Sequence, residues 1–73
     1  MTFEQWKTEV DRLLVKATGL SSEDMADFAS YDSWSNEDTP LQGAILCLED
    51  NDLSYLQIMS MFNNVGIDAT SEI

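Results

Sequence analysis

The sequence predicts an all-α fold, a single compact domain of four short helices over residues 1–67 followed by a frayed tail over residues 68–73. Apolar residues recur at spacings of three and four in each segment, the period of a helix that buries one stripe. A Ser, Thr or Asp stands at each prospective start, and Gly19 and Gly66 stand at two of the ends. With 73 residues and 44% hydrophobic content, the chain suits one domain with a small core and is too apolar for disorder.

The first helix opens at Thr2, which with Gln5 three residues on forms a capping box. Phe3, Trp6, Val10, Leu13, Leu14 and Ala17 make its apolar stripe, which puts Trp6 in the core. Gly19 ends it as a left-handed cap, with Leu20 closing back on Val15 in a Schellman arrangement. Ser21 then caps a short second helix with Glu23 and Asp24 in its first turn, Leu20 and Met25 as a hydrophobic staple, and Met25, Phe28 and Ala29 facing inward. Residues 30–38 are dense in Ser, Asn and Asp and read as a loop, in which Tyr31 and Trp34 serve either as a lid over the core, the favoured reading, or as an exposed anchor for a partner. Thr39, Pro40 and Gln42 open the third helix. Its stripe of Leu41, Ala44, Ile45 and Leu48 is widened by Leu46 and Cys47, as befits a central helix. Asp52 caps a fourth helix running to about Val65, where Gly66 stops it.

The charge is distributed on one side of the chain. Lys7, Arg12 and Lys16 are the only bases, and Glu4, Glu9 and Asp11 balance them, so the net charge of −11 belongs wholly to residues 17–73. Such a field excludes nucleic acid and anionic membrane as direct partners and favours a basic protein. The carboxylates gather as Glu23, Asp24 and Asp27; Asp32; Glu37 and Asp38; and Glu49, Asp50 and Asp52. Glu23, Asp24 and Asp52 suit helix starts, whereas Glu49 and Asp50 face the negative end of a helix dipole. Because duplex DNA carries one charge per about 1.7 Å of axis, an acidic ridge can imitate it to a DNA-binding protein.

Other chemistries fit less well. A calcium loop needs Gly at its sixth position and Glu at its twelfth; from Asp50 those are Tyr55 and Met61, and from Asp32 they are Glu37 and Gly43. Asp32-Ser33-Trp34 resembles the attachment site of acyl carrier proteins, but Pro40 interrupts the long helix that such a Ser would open. Cys47 is alone, there is no His, and no Lys follows residue 16, so an enzyme, a cofactor and a metal are not expected. No signal sequence or apolar run of membrane-spanning length occurs, so a cytoplasmic protein is expected. Residues 53–67 carry no charge, and Tyr55, Met59, Met61 and Phe62 on the fourth helix offer an apolar interface for a homodimer or partner.

Phe3, Trp6 and Val10, then Thr18-Gly19-Leu20-Ser21, Asp24, Asp27 and Tyr31, and finally Thr39-Pro40 before a helix ending at Leu48-Glu49, carry a resemblance. Over residues 3–49 the chain is similar to small helical proteins of bacteriophages and bacteria that share a domain of unknown function. It departs from them at Gly43 and at the Glu37-Asp38 pair, where a Gly tends to precede the Ser/Thr-Pro. The resemblance implies a phage origin, hence the host cytoplasm, and assigns no functional residue. The expected function is that of a non-catalytic inhibitor occupying the basic nucleic-acid-binding site of a host protein. The alternative is a homo-oligomeric accessory protein assembled through the fourth helix, its charge serving solubility.

Overall fold

A computed structural model describes residues 1–24 and 30–69. Among these, the chain forms α1 (Phe3–Thr18), a 3-10 turn (Ser22–Asp24), α2 (Ser30–Ser35), α3 (Pro40–Asp50) and α4 (Tyr55–Asn64), with no strand. The Cα radius of gyration, 11.0 Å, agrees with about 11 Å for a compact chain of this length. The fold is all-α.

The same box, Ser or Thr followed three residues later by Gln, starts three of the four helices. In α1 the Gln5 amide donates to Thr2 Oγ1 (3.2 Å) and the Thr2 amide to Gln5 Oε1 (3.0 Å). Thr39 and Gln42 repeat the exchange at α3, with Pro40 at the first helical position. At α4 the pair is Ser54 and Gln57. The cap of α4 is therefore Ser54 and not Asp52, whose φ of 67° places it in the turn that ends α3. Each box satisfies two amides that a helix start leaves orphaned.

Three helices stop in Schellman motifs. The Gly66 amide donates to Asn63 O (3.1 Å) and the Ile67 amide to Phe62 O (2.9 Å). Asp52 to Glu49 O (3.0 Å) with Leu53 to Leu48 O (3.2 Å) closes α3, and Glu37 to Trp34 O (3.0 Å) with Asp38 to Ser33 O (3.1 Å) closes α2. The turn after α1 is simpler than the sequence suggests. Gly19 (φ 83°) donates to Val15 O (2.8 Å), but the Leu20 amide goes to Thr18 Oγ1 (3.0 Å). Because a side-chain hydroxyl takes that amide, no Schellman pair forms.

Three further expectations are corrected. Residues 30–35 form a helix rather than a loop, because Tyr31 and Trp34, three apart, dock on Phe3 with centroids 5.4 and 5.7 Å away. Burial of aromatic surface outweighs the weak helix propensity of Ser and Asp. Ahead of it, Ser22–Asp24 is a 3-10 turn held to α1 by Asp11, whose Oδ1 accepts from the Ser22 amide (3.0 Å) and hydroxyl (2.6 Å). The expected inward faces of Met25, Phe28 and Ala29 lie outside the described residues. So do residues 70–73. The tail does not begin at Asp68, since Ala69 is buried in the core and Ile67 packs against it.

The core joins Trp6, Val10 and Leu14 of α1 to Ala44, Ile45, Cys47 and Leu48 of α3 and to Ile58 and Phe62 of α4. Here α3 touches α1, α2 and α4, and α1 likewise touches the other three helices. Trp6 is only 3% exposed, as its stripe predicts, and its Nε1–H donates to Asp38 O (2.8 Å). Gly43 faces it where no side chain fits: a Cβ there would stand 2.6 Å from Trp6 Cζ2 and Cη2.

Candidate partner-binding surface

The carboxylates stand at the ends of short elements because each element ends in a turn. Glu23 and Asp24 are exposed on the 3-10 turn, and Asp32 is exposed in the first turn of α2. Asp27 lies outside the described residues. Glu37 is exposed at φ 64°, while Asp38 is half-buried and accepts the Ser33 hydroxyl on Oδ2 (2.7 Å). Glu49, Asp50 and Asp52 are exposed where α3 runs into the turn before α4. Among the bases, Arg12 is occupied by Glu9 at 2.8 Å on the outer face of α1.

Two groups matter most. Glu37 and Asp38 precede the start of α3, Glu49 and Asp50 occupy its last turn, and Asp52 follows it. An 11-residue helix is about 16 Å long, so α3 holds the groups apart at its two ends rather than merging them. Glu37 and Asp38 border a recess that Trp6, Trp34, Met1 and Pro40 also line. Tyr31 and Trp34 divide between the roles open to them. Trp34 is half-buried against the core, and Tyr31 is 61% exposed at the edge of the aromatic cluster.

On α4 the apolar residues also divide. Phe62 is fully buried with Ile58, so it belongs to the core and not to an interface. Met59 and Met61 are half-buried, Tyr55 is 49% exposed, and Leu56, which the sequence did not single out as an interface residue, is 77% exposed. Leu53, Leu56 and Met61 line a shallow apolar groove with Gln57 and Ser60. A helix period places residues on faces but cannot tell which of two apolar faces the neighbours cover.

Cys47 is fully buried, and its thiol is pushed up to about 11, first by burial and then by the charges of Asp50 and Asp11, with Lys7 opposing. It stays protonated at neutral pH and is no ready nucleophile. Among the described residues no group of three His, Cys, Asp or Glu side chains is placed to hold a metal ion, and no helix is long and apolar enough to cross a membrane. No family model, curated protein or solved structure matches the chain.

Proposed function

We propose that this chain is a non-catalytic binding module whose acidic surface occupies a basic site on another protein, of the kind that binds nucleic acid. In the phage setting that the sequence resemblance implies, that protein is a host factor. The observation that carries the reading is where the carboxylates stand. Glu37 and Asp52 hold φ of 64° and 67°, a conformation that glycine adopts freely and other residues adopt at roughly 1 kcal/mol or more. Glu49 and Asp50 sit in the last turn of α3 against the negative end of its dipole, an unfavourable placement of about 0.3–1 kcal/mol each. Four carboxylates held against the local preferences of a small fold are best accounted for by something they meet outside it. The carboxylates stand as two anionic groups, Glu37 with Asp38 and Glu49 with Asp50 and Asp52, held about 16 Å apart by α3, an arrangement suited to a basic surface that spans both.

Capture of partners from a bacterial lysate tests this directly. Binding should fall steeply with salt, be displaced by duplex DNA, and be lost when Glu49, Asp50 and Asp52 are all replaced by Lys. Capture that survives high salt, DNA and the triple replacement overturns the acidic-surface reading.

Leu56, at 77% exposure, favours a second reading in which α4 pairs with a second copy. In that case sedimentation shows a dimer that Leu56→Lys converts to a folded monomer.

A further inference from the structure

The recess between α2 and α3 has a chemistry of its own. Both tryptophans of the chain border it, together with Glu37, Asp38, Met1 and Pro40. Its indole and hydroxyl donors are already in use. The Trp6 indole N–H is committed to Asp38 O (2.8 Å), and the Trp34 indole N–H points to Met1 O (3.3 Å). The hydroxyl of Ser35, also on the wall, donates to Asp32 O (3.1 Å). These donors are spent within the protein; Trp6 is only 3% exposed, so the π surface on offer is that of the half-buried Trp34, with Glu37 and Asp38 on the same wall. Asp38 has given Oδ2 to Ser33, which leaves Oδ1, and Glu37 is exposed on the rim.

From this we infer that the recess takes the guanidinium of an arginine side chain presented by the basic partner, an inference that rests on the acidic-module reading. An indole face beside two acidic residues suits a flat, donor-rich cation. Arginine carries five N–H donors and no acceptor, and its flat guanidinium stacks on an indole while its edge meets a carboxylate. A lysine ammonium is a more strongly hydrated point charge that cannot stack in that way. The aromatic wall is held in place beforehand: Trp34 packs on Phe3 at 5.7 Å and on Tyr31 at 5.5 Å between centroids. Little side-chain freedom remains to be lost on binding. Glu37, held in the left-handed turn, lines the same recess, which gives the strained residue a local role.

Because the chain's two tryptophans both border the recess, their two indole N–H resonances report on it without other labels. The test titrates the full chain with a blocked Gly-Arg-Gly peptide and with its lysine and citrulline counterparts. The arginine peptide should move both indole resonances saturably, the neutral citrulline peptide should move neither, and the lysine peptide should bind more weakly. Glu37→Gln should weaken arginine binding about two- to fivefold, and Trp34→Leu by a similar factor. Neutralising Asp50 and Asp52 at the other end of α3, beyond a Debye length of about 10 Å at 0.1 M salt, should leave it nearly unchanged. Glu37 is exposed, so its variant keeps the fold, and the unperturbed remainder of the spectrum verifies that. Equal response to lysine or citrulline, indifference to Glu37→Gln, or equal loss on neutralising Asp50 and Asp52 overturns the site. If the recess fails while lysate capture still yields to salt and DNA, the acidic-module reading survives without it. If both fail, the reading itself is wrong.

Discussion

The edge of the Trp6 ring lies on the bare Cα of Gly43, where a single added methyl carbon would stand 2.6 Å from two ring atoms and 3.2 Å from Val10 Cγ2. The absence of a side chain at this one position of α3 lets α1 and α3 approach and leaves room for the indole. Ala in a helix is intrinsically about 1 kcal/mol better than Gly. Here the overlap outweighs that preference, because the ring is walled in and its N–H is tied to Asp38 O.

Gly43→Ala should therefore destabilise the domain, by about 1–3 kcal/mol as for other overpacked cores. Thermal melting followed by circular dichroism checks the sign, and a raised melting temperature would mean that the helices separate without penalty. Trp6→Ala should be worse, about 3–5 kcal/mol, much of the stability of so small a domain.

Replacing Glu37 or Asp52 with Gly should stabilise, each by several tenths to about 1 kcal/mol, since the left-handed turn then carries no side-chain penalty. Glu37→Gln and Asp52→Asn, which remove charge but keep a side chain, separate the backbone contribution from relief of repulsion. If the carboxylates serve a partner, the stabilised variants should bind it less well, a trade of activity for stability. Stabilisation with undiminished capture would detach these two residues from function.

Local chemistry made much of this fold legible. The boxes at Thr2 and Thr39, the stripe through Trp6, Val10 and Leu14, and the stops at Gly19 and Gly66 are all short-range signals, and the structure has each of them. The misses came from two sources. At Ser54 the same signal was present, in Ser-x-x-Gln, but Asp52 two residues earlier drew the assignment; the left-handed role of Asp52 depends on how α3 ends. At α2 the deciding contacts join Tyr31 and Trp34 to Phe3, nearly thirty residues away in sequence, which no local pattern encodes. The candidate surface was legible as composition. Its division between the two ends of α3, and the recess beside Glu37, required the fold.

Cys47 makes stability depend on alkaline pH. Its thiol has an ordinary value of 9.0 and is raised to about 11 in the folded chain, so the native state holds a proton that the unfolded state releases. Its contribution is present in full below pH 9 and is lost as pH rises from 9 to about 11. Denaturant midpoints should fall across that window more for the parent than for Cys47→Ala, although the alanine variant starts lower because it leaves a cavity. In the native state at pH 8, a thiol reagent should react only as fast as the protein opens. Rapid, complete reaction without unfolding would place the sulfur at the surface.

The two apolar faces of α4 should separate cleanly under charge substitution. Phe62→Asp buries an unpaired carboxylate and should abolish folding. Leu56→Asp, on a side chain that is 77% exposed, should leave melting within about 0.5 kcal/mol of the parent. If the Leu56 variant unfolds as a dilute monomer, the position is covered by structure within the chain and is not available to a second copy.

Salt should move folding and binding in opposite directions. Glu49, Asp50 and Asp52 crowd one turn, Glu37 and Asp38 another, and the net charge of −11 leaves few bases to offset them. Screening within a Debye length of about 8–10 Å relieves this repulsion in the folded state, so melting temperature should rise between low and moderate ionic strength. The same screening weakens attraction to a basic partner, whose capture should fall over the same range. Replacing Glu49, Asp50 and Asp52 with neutral isosteres should flatten both trends together, because both arise from one surface. A flat melting curve with a steep loss of capture would place the binding charges on dispersed sites that do not repel one another.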